Sequence, residues 1–193
     1  MSITKFHESV FINCPFDKEY KPIFNAIVFT VIFCGFKPRS AREKDNSDDI
    51  RIEKIISIIK SCKFGIHDIC RTELDKINKL PRFNMPLELG LDLGIKKSGL
   101  KELINKQILI LDKEDFRYQK FISDIAGQDI KSHKSTEEKV IICIREFLGE
   151  HSSKKIAHGS KICNNYKNFK TKLPLLCKEN LWTVEELSFN EYV

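Results

Sequence analysis

Apolar and polar residues alternate along "SVFINC" (residues 9–14) and the alternation stops at Pro15. A period of two ended by a proline predicts a strand and its exit turn. The next stretch, "EYKPIFNAIVFTVIFCG", predicts a helix, with Pro22 in the first turn where a missing N–H costs little, and Gly35 at the end. "FKPRSA" predicts a short second strand. "EKDNSDD" is a polar loop, with Asp48 or Asp49 placed to cap the following helix. In "IRIEKIISIIKSC", Ile52, Ile55, Ile56 and Ile59 recur at helical spacing. "FGIHDIC" and "KQILILD" have the continuous apolar character of buried strands. Between them, "MPLELGLDLGIKKSG" predicts a helix with Pro86 near its start and Gly99 just past its end. "DFRYQKFISDIAG" predicts another helix, and "QDIKSHKS" a fifth strand or an extended loop. "TEEKVIICIREFLGE" predicts a helix capped by Ser135 or Thr136, with acids in its first turn.

Strands therefore alternate with helices from residue 10 to about residue 150. This pattern implies an α/β fold with a central, mostly parallel sheet. Five strands at this spacing fit a flavodoxin-like three-layer sandwich of strand order 2-1-3-4-5. After Gly149 the character changes. "EHSSKKIAHGSK" is a polar linker, and the remainder carries Tyr166, Phe169, Leu173, Leu176 and Trp182 in a sparse apolar pattern. The expected organisation is an α/β domain over residues 1–150 and a C-terminal helical extension over 151–193, packed back on the domain or on a partner.

Composition narrows the class. The chain has 193 residues, 41% hydrophobic and 31% charged, enough for one domain with a sizeable core. The first residues lack the basic flank and apolar run of a secretory signal. The longest apolar run, "FNAIVFTVIFCGF", is too short to span a bilayer, so a buried helix accounts for it and no membrane partner is expected. Seven cysteines are scattered with no CxxC pair, which disfavours a metal cluster or a disulfide framework and implies a reducing, cytoplasmic setting. The net charge of +6 suits an anionic ligand such as a nucleotide, but is too weak and dispersed to indicate nucleic acid.

In open parallel sheets, ligands bind outside the carboxyl ends of the strands. The segments that follow strands hold Asn13, Asp17, Tyr20, Arg39, Arg42, Asp68, Arg71, Arg82, Asn84 and Glu88. Several have plainer roles available. Glu88, placed in the first turn of its helix, would favour the macrodipole. Asp68 would serve a turn or cap, and Asp17 the helix that begins near Lys18. Arg42 would pair with Glu43 or Asp45. His67 reads as a hydrogen-bonded core histidine. Asp124, Asp129 and His133 fall near the last strand exit. No GxGxxG, Walker A, HExxH or GxSxG run is present, which disfavours phosphate-loop enzymes and nucleophile-elbow hydrolases.

A strand ending in "NCPFD", a strand ending in "IHDIC" and a helix opening "NMPLELG" resemble the nucleoside 2-deoxyribosyltransferase-like superfamily and the TIR-like NAD-cleaving domains. The resemblance covers roughly residues 10–112, extends to residue 150, and leaves the tail outside. Its most specific piece is Glu88-Leu89-Gly90. Asn84-Met85-Pro86 stands where relatives commonly have a Gly-Thr pair, which marks a divergent branch. The resemblance implies an N-glycosidase with Glu88 as catalytic carboxylate and Asp68 holding the ribose or assisting the leaving base. It also implies Asn13 and Asn84 on the sugar hydroxyls, and Arg39, Arg42, Arg71 and Arg82 on phosphate. Phe16, Tyr20 or Phe83 would stack on the base, with Cys14, Asp17 and Met85 lining the same pocket. NAD enters as the substrate, with no cofactor and no metal. Nucleoside deoxyribosyl transfer and nucleoside-monophosphate cleavage are the alternatives, and a non-catalytic nucleotide-signal module is a third. The resemblance further implies a homo-oligomer or a partner effector protein, and a role in bacterial antiphage immunity.

Overall fold

The structure is a computed structural model that describes residues 3–43, 50–74 and 79–193. Five strands form one sheet: β1 (Ser9–Asn13), β2 (Lys37–Arg39), β3 (Phe64–Asp68), β4 (Gln107–Asp112) and β5 (Lys131–Ser132). Their order is β2-β1-β3-β4-β5 and every pairing is parallel. The fold is therefore flavodoxin-like, as the alternating pattern predicts. The helices are α1 (Ile3–Glu8), α2 (Lys21–Phe33), α3 (Arg51–Lys60), α4 (Asn84–Lys97), α5 (Glu137–Glu150), α6 (Gly159–Glu179) and α7 (Phe189–Tyr192).

Side chains alternate across the sheet and sort the helices into two layers. Val10, Ile12, Phe64, Ile66, Leu109 and Leu111 pack against α2, α5 and α6. On the opposite face Phe11 packs against α3, while Ile69 and Ile110 pack against α4. The chain leaves β1 for β2 on one side and returns to β3 on the other. The crevice between the carboxyl ends of β1 and β3 is the topological switch point.

Several elements begin and end for visible reasons. Pro22 sits in the first turn of α2, and Gly35, at φ +78°, closes that helix. Thr136 caps α5, its hydroxyl accepting the Lys139 N–H. Asp48 and Asp49 lie outside the described residues, and the N-cap position of α3 is Ile50. Two expectations change. Residues 115–127 form two short 3-10 turns, Arg117–Lys120 and Ser123–Ile125, instead of one helix. Phe116 at φ +59° and the non-helical Ile122 break the run. Arg117 is drawn inward, donating to Asp112 Oδ1 from Nε at 2.8 Å and to the Ile69 carbonyl at 3.0 Å. The second change is α1, which the sequence pattern does not announce. The extension beyond residue 150 does pack back on the domain, and Ile162, Cys163, Tyr166 and Phe189 join the α2–α5 core. Among the described residues no helix is long and apolar enough to cross a membrane.

A chain of buried polar groups runs under the α3–α4 face. Lys106, just before β4, donates to the Ile59 carbonyl at 2.8 Å and to the Cys62 carbonyl, and its Nζ lies 3.2 Å from Asp92 Oδ1. Asp92 Oδ2 lies 3.0 Å from His67 Nε2. Asn13 Nδ2 donates to the Met85 carbonyl at 2.9 Å and sits 3.0 Å from His67 Nδ1. The Met85 carbonyl can only accept, so it fixes the Asn13 amide orientation. Nδ1 of His67 must then accept, and Nε2 carries the proton that Asp92 receives. Lys106, Asp92 and His67 have no solvent exposure. Gly65 makes room for them, since a Cβ there would meet Asp92 Oδ2 at 2.4 Å and His67 Nε2 at 2.9 Å.

Asp92→Ala should cost about 3–5 kcal/mol, because it leaves the Lys106 ammonium buried without its carboxylate. Gly65→Ala should cost about 1–3 kcal/mol by crowding the same group. The exposed pair Lys131–Asp129 is the control, and its removal should cost less than about 1 kcal/mol. Urea denaturation followed by far-UV circular dichroism measures all three.

Candidate active site

Glu88 is the fifth residue of α4, so it lies one full turn inside the helix, and no acidic residue occupies the first turn. The capping role that its sequence position suggests is therefore not the one it has. It is 7% exposed, and among the described residues its carboxylate makes no hydrogen bond. Burial raises its pKa from 4.5 to about 7, against an opposing pull from the Arg51 guanidinium.

Glu88 faces a cavity of about 360 Å³ at the β1–β3 switch point. The β1 exit supplies Asn13, Cys14, Pro15, Phe16 and Asp17, the start of α3 supplies Arg51, and the α4 entry supplies Arg82, Asn84 and Met85. Eight of the residues singled out from the sequence meet here: Asn13, Cys14, Phe16, Asp17, Arg82, Asn84, Met85 and Glu88. Burial, followed by the Asp68 and Glu88 carboxylates, pushes the Cys14 thiol well above its usual range. It stays a neutral wall of the cavity. Asp17 has two functions. Its carboxylate accepts the Tyr20 N–H at 3.0 Å ahead of α2, and it faces Arg71 at 3.1 Å and Arg82 at 3.9 Å.

The other six lie elsewhere. Asp68 is fully buried and turned to the α2–α5 face. It accepts from the Tyr20 hydroxyl and, at 2.9 Å, from the Cys70 N–H, and His133 Nε2 lies 2.9 Å away. Its lone pairs are engaged by the fold, so it does not share a cavity with Glu88. Tyr20 is buried in the same cluster, where burial and then the Asp68 carboxylate raise its phenol pKa well above normal. Arg39 is held by Glu43 at 2.6 Å and by Ser61 at 3.2 Å, so the partner of Glu43 is Arg39 and not Arg42. Arg42 instead lies 4.5 Å over the Phe16 ring and lines a neighbouring cavity. Arg71 is committed to Asp17 and Glu19. Phe83, the N-cap residue of α4, is largely exposed. Asp129 pairs with Lys131 on the surface, and Asp124 is exposed.

Cys70, Asp68 and His133 place ligand-type atoms within 4.8 Å of one another. However, the Ser135 N–H donates to His133 Nδ1 at 3.0 Å, which leaves the ring proton on Nε2, facing Asp68. The Tyr20 hydroxyl and the Cys70 N–H hold the Asp68 carboxylate, whereas His133 Nε2, 2.9 Å away, lies outside hydrogen-bonding geometry.

Arg51 and Pro15 also belong to the site. Arg51 has a legible signal, since a helix that follows a strand of a parallel sheet starts at the carboxyl edge of that sheet, and Arg51 is the first residue of α3. No protein-family model matches the chain, and no curated protein sequence matches it.

The raised Glu88 pKa has a consequence for stability. The native state holds this proton between about pH 4.5 and 7, whereas the unfolded chain releases it near 4.5. The contribution to stability is fully present below about pH 4.5 and is lost as pH rises through about 7. Glu88→Gln should therefore leave stability nearly unchanged at pH 4 and raise it by about 2–3 kcal/mol at pH 8, read from urea midpoints at the two pH values.

Proposed function

We propose that the protein is an N-glycosidase that cleaves the ribosyl–base bond of NAD or a related nucleotide, with Glu88 as its catalytic carboxylate. The observation that carries this reading is a buried carboxylate, without a hydrogen-bond partner among the described residues, facing a switch-point cavity rimmed by Arg51 and Arg82. The resemblance around Glu88-Leu89-Gly90 points the same way. A carboxylate left unpaired inside a fold weakens that fold, and such groups concentrate at functional sites. A cavity of about 360 Å³ falls within the range for small-molecule sites and suits a base, its ribose and a phosphate.

The chemistry follows from charge. The bond from C1′ to the pyridinium nitrogen breaks, and its electron pair neutralises the ring, so nicotinamide leaves without a proton donor. Positive charge develops at C1′, and ionised Glu88 stabilises it or closes on it as a glycosyl ester. Water then adds at C1′ and releases a proton, giving ADP-ribose. Asn13 has both Nδ2 protons committed to Met85 and His67, so its Oδ1 is the atom available to a sugar hydroxyl. Arg51 and Arg82 meet phosphate oxygens. Release of an ADP-ribose-type signal would suit antiphage defence in a cytoplasmic protein acting as a homo-oligomer or with a partner effector.

A second reading is cleavage or transfer of a nucleoside monophosphate, whose neutral base needs a proton to leave. A Glu88 pKa of about 7 favours it, since the carboxyl is then half protonated at neutral pH.

Incubation of the purified protein with NAD should release nicotinamide on chromatography, and Glu88→Gln should lower the rate by about 10³-fold or more. Absence of base release from NAD and from nucleoside monophosphates, by the protein alone and in its assembled state, would overturn the enzymatic reading. The pH profile separates the two substrates. With NAD, kcat/KM should rise with pH to a plateau, with a midpoint near 7, because ionised Glu88 is the active form. A rate that falls above pH 7 would assign Glu88 as a proton donor and favour the monophosphate.

A further inference from the structure

A second, larger cavity of about 810 Å³ adjoins the first. Phe16 and Asp17 line both. The far wall of the large cavity is the C-terminal segment, which lies outside the resemblance to glycosidases altogether. This segment is held in place. Lys21 Nζ donates to the Val184 carbonyl at 3.1 Å and to that of Glu185, and Tyr192 donates to the Asn25 carbonyl at 3.2 Å. Asn190 donates to the Glu43 carbonyl at 3.0 Å, which ties the tail to the β2 exit loop that carries Arg42. The ring of Phe189 lies 6.2 Å from Phe24, and that of Phe24 lies 5.5 Å from Phe16. An aromatic chain thus runs from the tail to the wall the two cavities share.

We infer that the C-terminal segment builds a distal subsite, which takes the aromatic half of a two-part nucleotide whose scissile ribosyl bond lies at Glu88. Three features select that ligand. About half of the side chains around the large cavity are apolar or aromatic, among them Phe24, Leu173, Leu187 and Phe189, and these suit a flat base, while charged groups such as Lys18, Glu137 and Glu185 make up much of the rest. Each residue of the shared wall has an arginine beside it: Arg42 lies over Phe16, and Arg82 lies 3.9 Å from Asp17. A ligand that occupies both cavities must cross there, and a pyrophosphate bridge matches a seam where the Arg42 and Arg82 guanidinium groups, with Arg71 also on Asp17, outnumber the single Asp17 carboxylate. Lys18 also lines the large cavity, with no ion pair among the described residues, whereas Lys21 and Lys170 on the same wall are held by the Val184 and Glu185 carbonyls and by Glu137. The inference rests on the reading of the Glu88 cavity as the seat of the ribosyl group, and it makes the tail a determinant of substrate length.

The test is calorimetric binding of NAD and of nicotinamide mononucleotide to the full chain carrying Glu88→Gln, which blocks turnover. The dinucleotide should bind at least about tenfold more tightly than the mononucleotide. Adding Leu187→Trp, which places a large ring in the distal cavity, should bring the ratio of the two affinities to within about twofold. Adding Arg42→Ala should lower the same ratio by about fivefold or more. Equal affinities in Glu88→Gln, no binding of the dinucleotide, or a ratio unmoved by Leu187→Trp would each overturn the distal subsite. Nicotinamide release by the native chain is scored separately. A protein that cleaves both nucleotides equally keeps the glycosidase and loses the subsite. One that binds with the expected ratio and cleaves neither keeps the subsite and loses the glycosidase.

Discussion

The buried chain Lys106–Asp92–His67–Asn13 is the interaction on which the placement of Glu88 depends. Its members come from the approach to β4, from α4, from β3 and from β1. One end holds the carbonyls at the end of α3, and the other holds the Met85 carbonyl at the start of α4. Glu88 lies three residues beyond Met85 on the same helix. Removing an ammonium, a carboxylate and an imidazole from water is costly unless each finds partners, and a half-satisfied network costs more than an apolar core. The partners therefore have to meet in one arrangement. That requirement sets the rotation of α4 against the sheet and the direction in which Glu88 points. Gly65 is the local condition for it, since no side chain fits between β3 and Asp92.

Asp68 and Glu88 show how one sheet edge gives two carboxylates opposite characters. Asp68 ends β3 facing the α2–α5 layer, and Tyr20, His133 and the Cys70 N–H converge on it. Those contacts join the start of α2, the approach to α5 and the end of β3, so Asp68 fastens the layer that buries it. Glu88 is nearly as buried and has no such partners among the described residues. Its proton is the cheapest compensation available, and the pKa near 7 records that. A group satisfied by its own fold has little left for a ligand, whereas one held by helix packing alone keeps its chemistry. Proximity to the switch point does not separate the two. The face on which each side chain emerges does.

Much of the fold was legible because its signals are local. Period-two alternation, a proline in a first turn and a glycine at positive φ define β1, α2 and the ends of α4 within a few residues. The alternation of strands and helices implied a parallel sheet, but the order β2-β1-β3-β4-β5 is set by which strands pair and is visible only in the structure. What stayed hidden involves long separations or competing interactions. The apolar spacing of Tyr118, Phe121, Ile122 and Ile125 reads as a helix, yet Arg117 reaching for Asp112 and the Ile69 carbonyl reshapes that segment into two turns. In the site, the exit-loop argument found Asn13 and the residues around Glu88. It also gathered Arg39, Arg71, Tyr20 and Asp68, which stand at the same edge but are spoken for by partners from 4 to 65 positions away. Topology names the edge. Only the partner of each side chain tells a ligand group from a structural one, and those partners are set by tertiary packing.

On the proposed reading, the ionisation of Glu88 and the cavity behind Phe16 are parts of one device. A carboxyl that keeps its proton to about pH 7 is a poor catalyst for a cationic transition state until something favours its charged form. A pyridinium ring entering the cavity does so, because opposite charges in a water-poor site stabilise each other. The substrate thus helps to ionise its own catalyst, whereas a neutral nucleoside does not. Seating that ring requires stripping water from both partners, and contacts remote from the reacting bond can offset that cost. The tail supplies a place for such contacts without touching C1′. Its packing into the α2–α5 core then has a catalytic rationale as well as a structural one. The segment that completes the core also forms the far wall of the distal cavity, so the length of nucleotide accepted is tied to the docking of the tail.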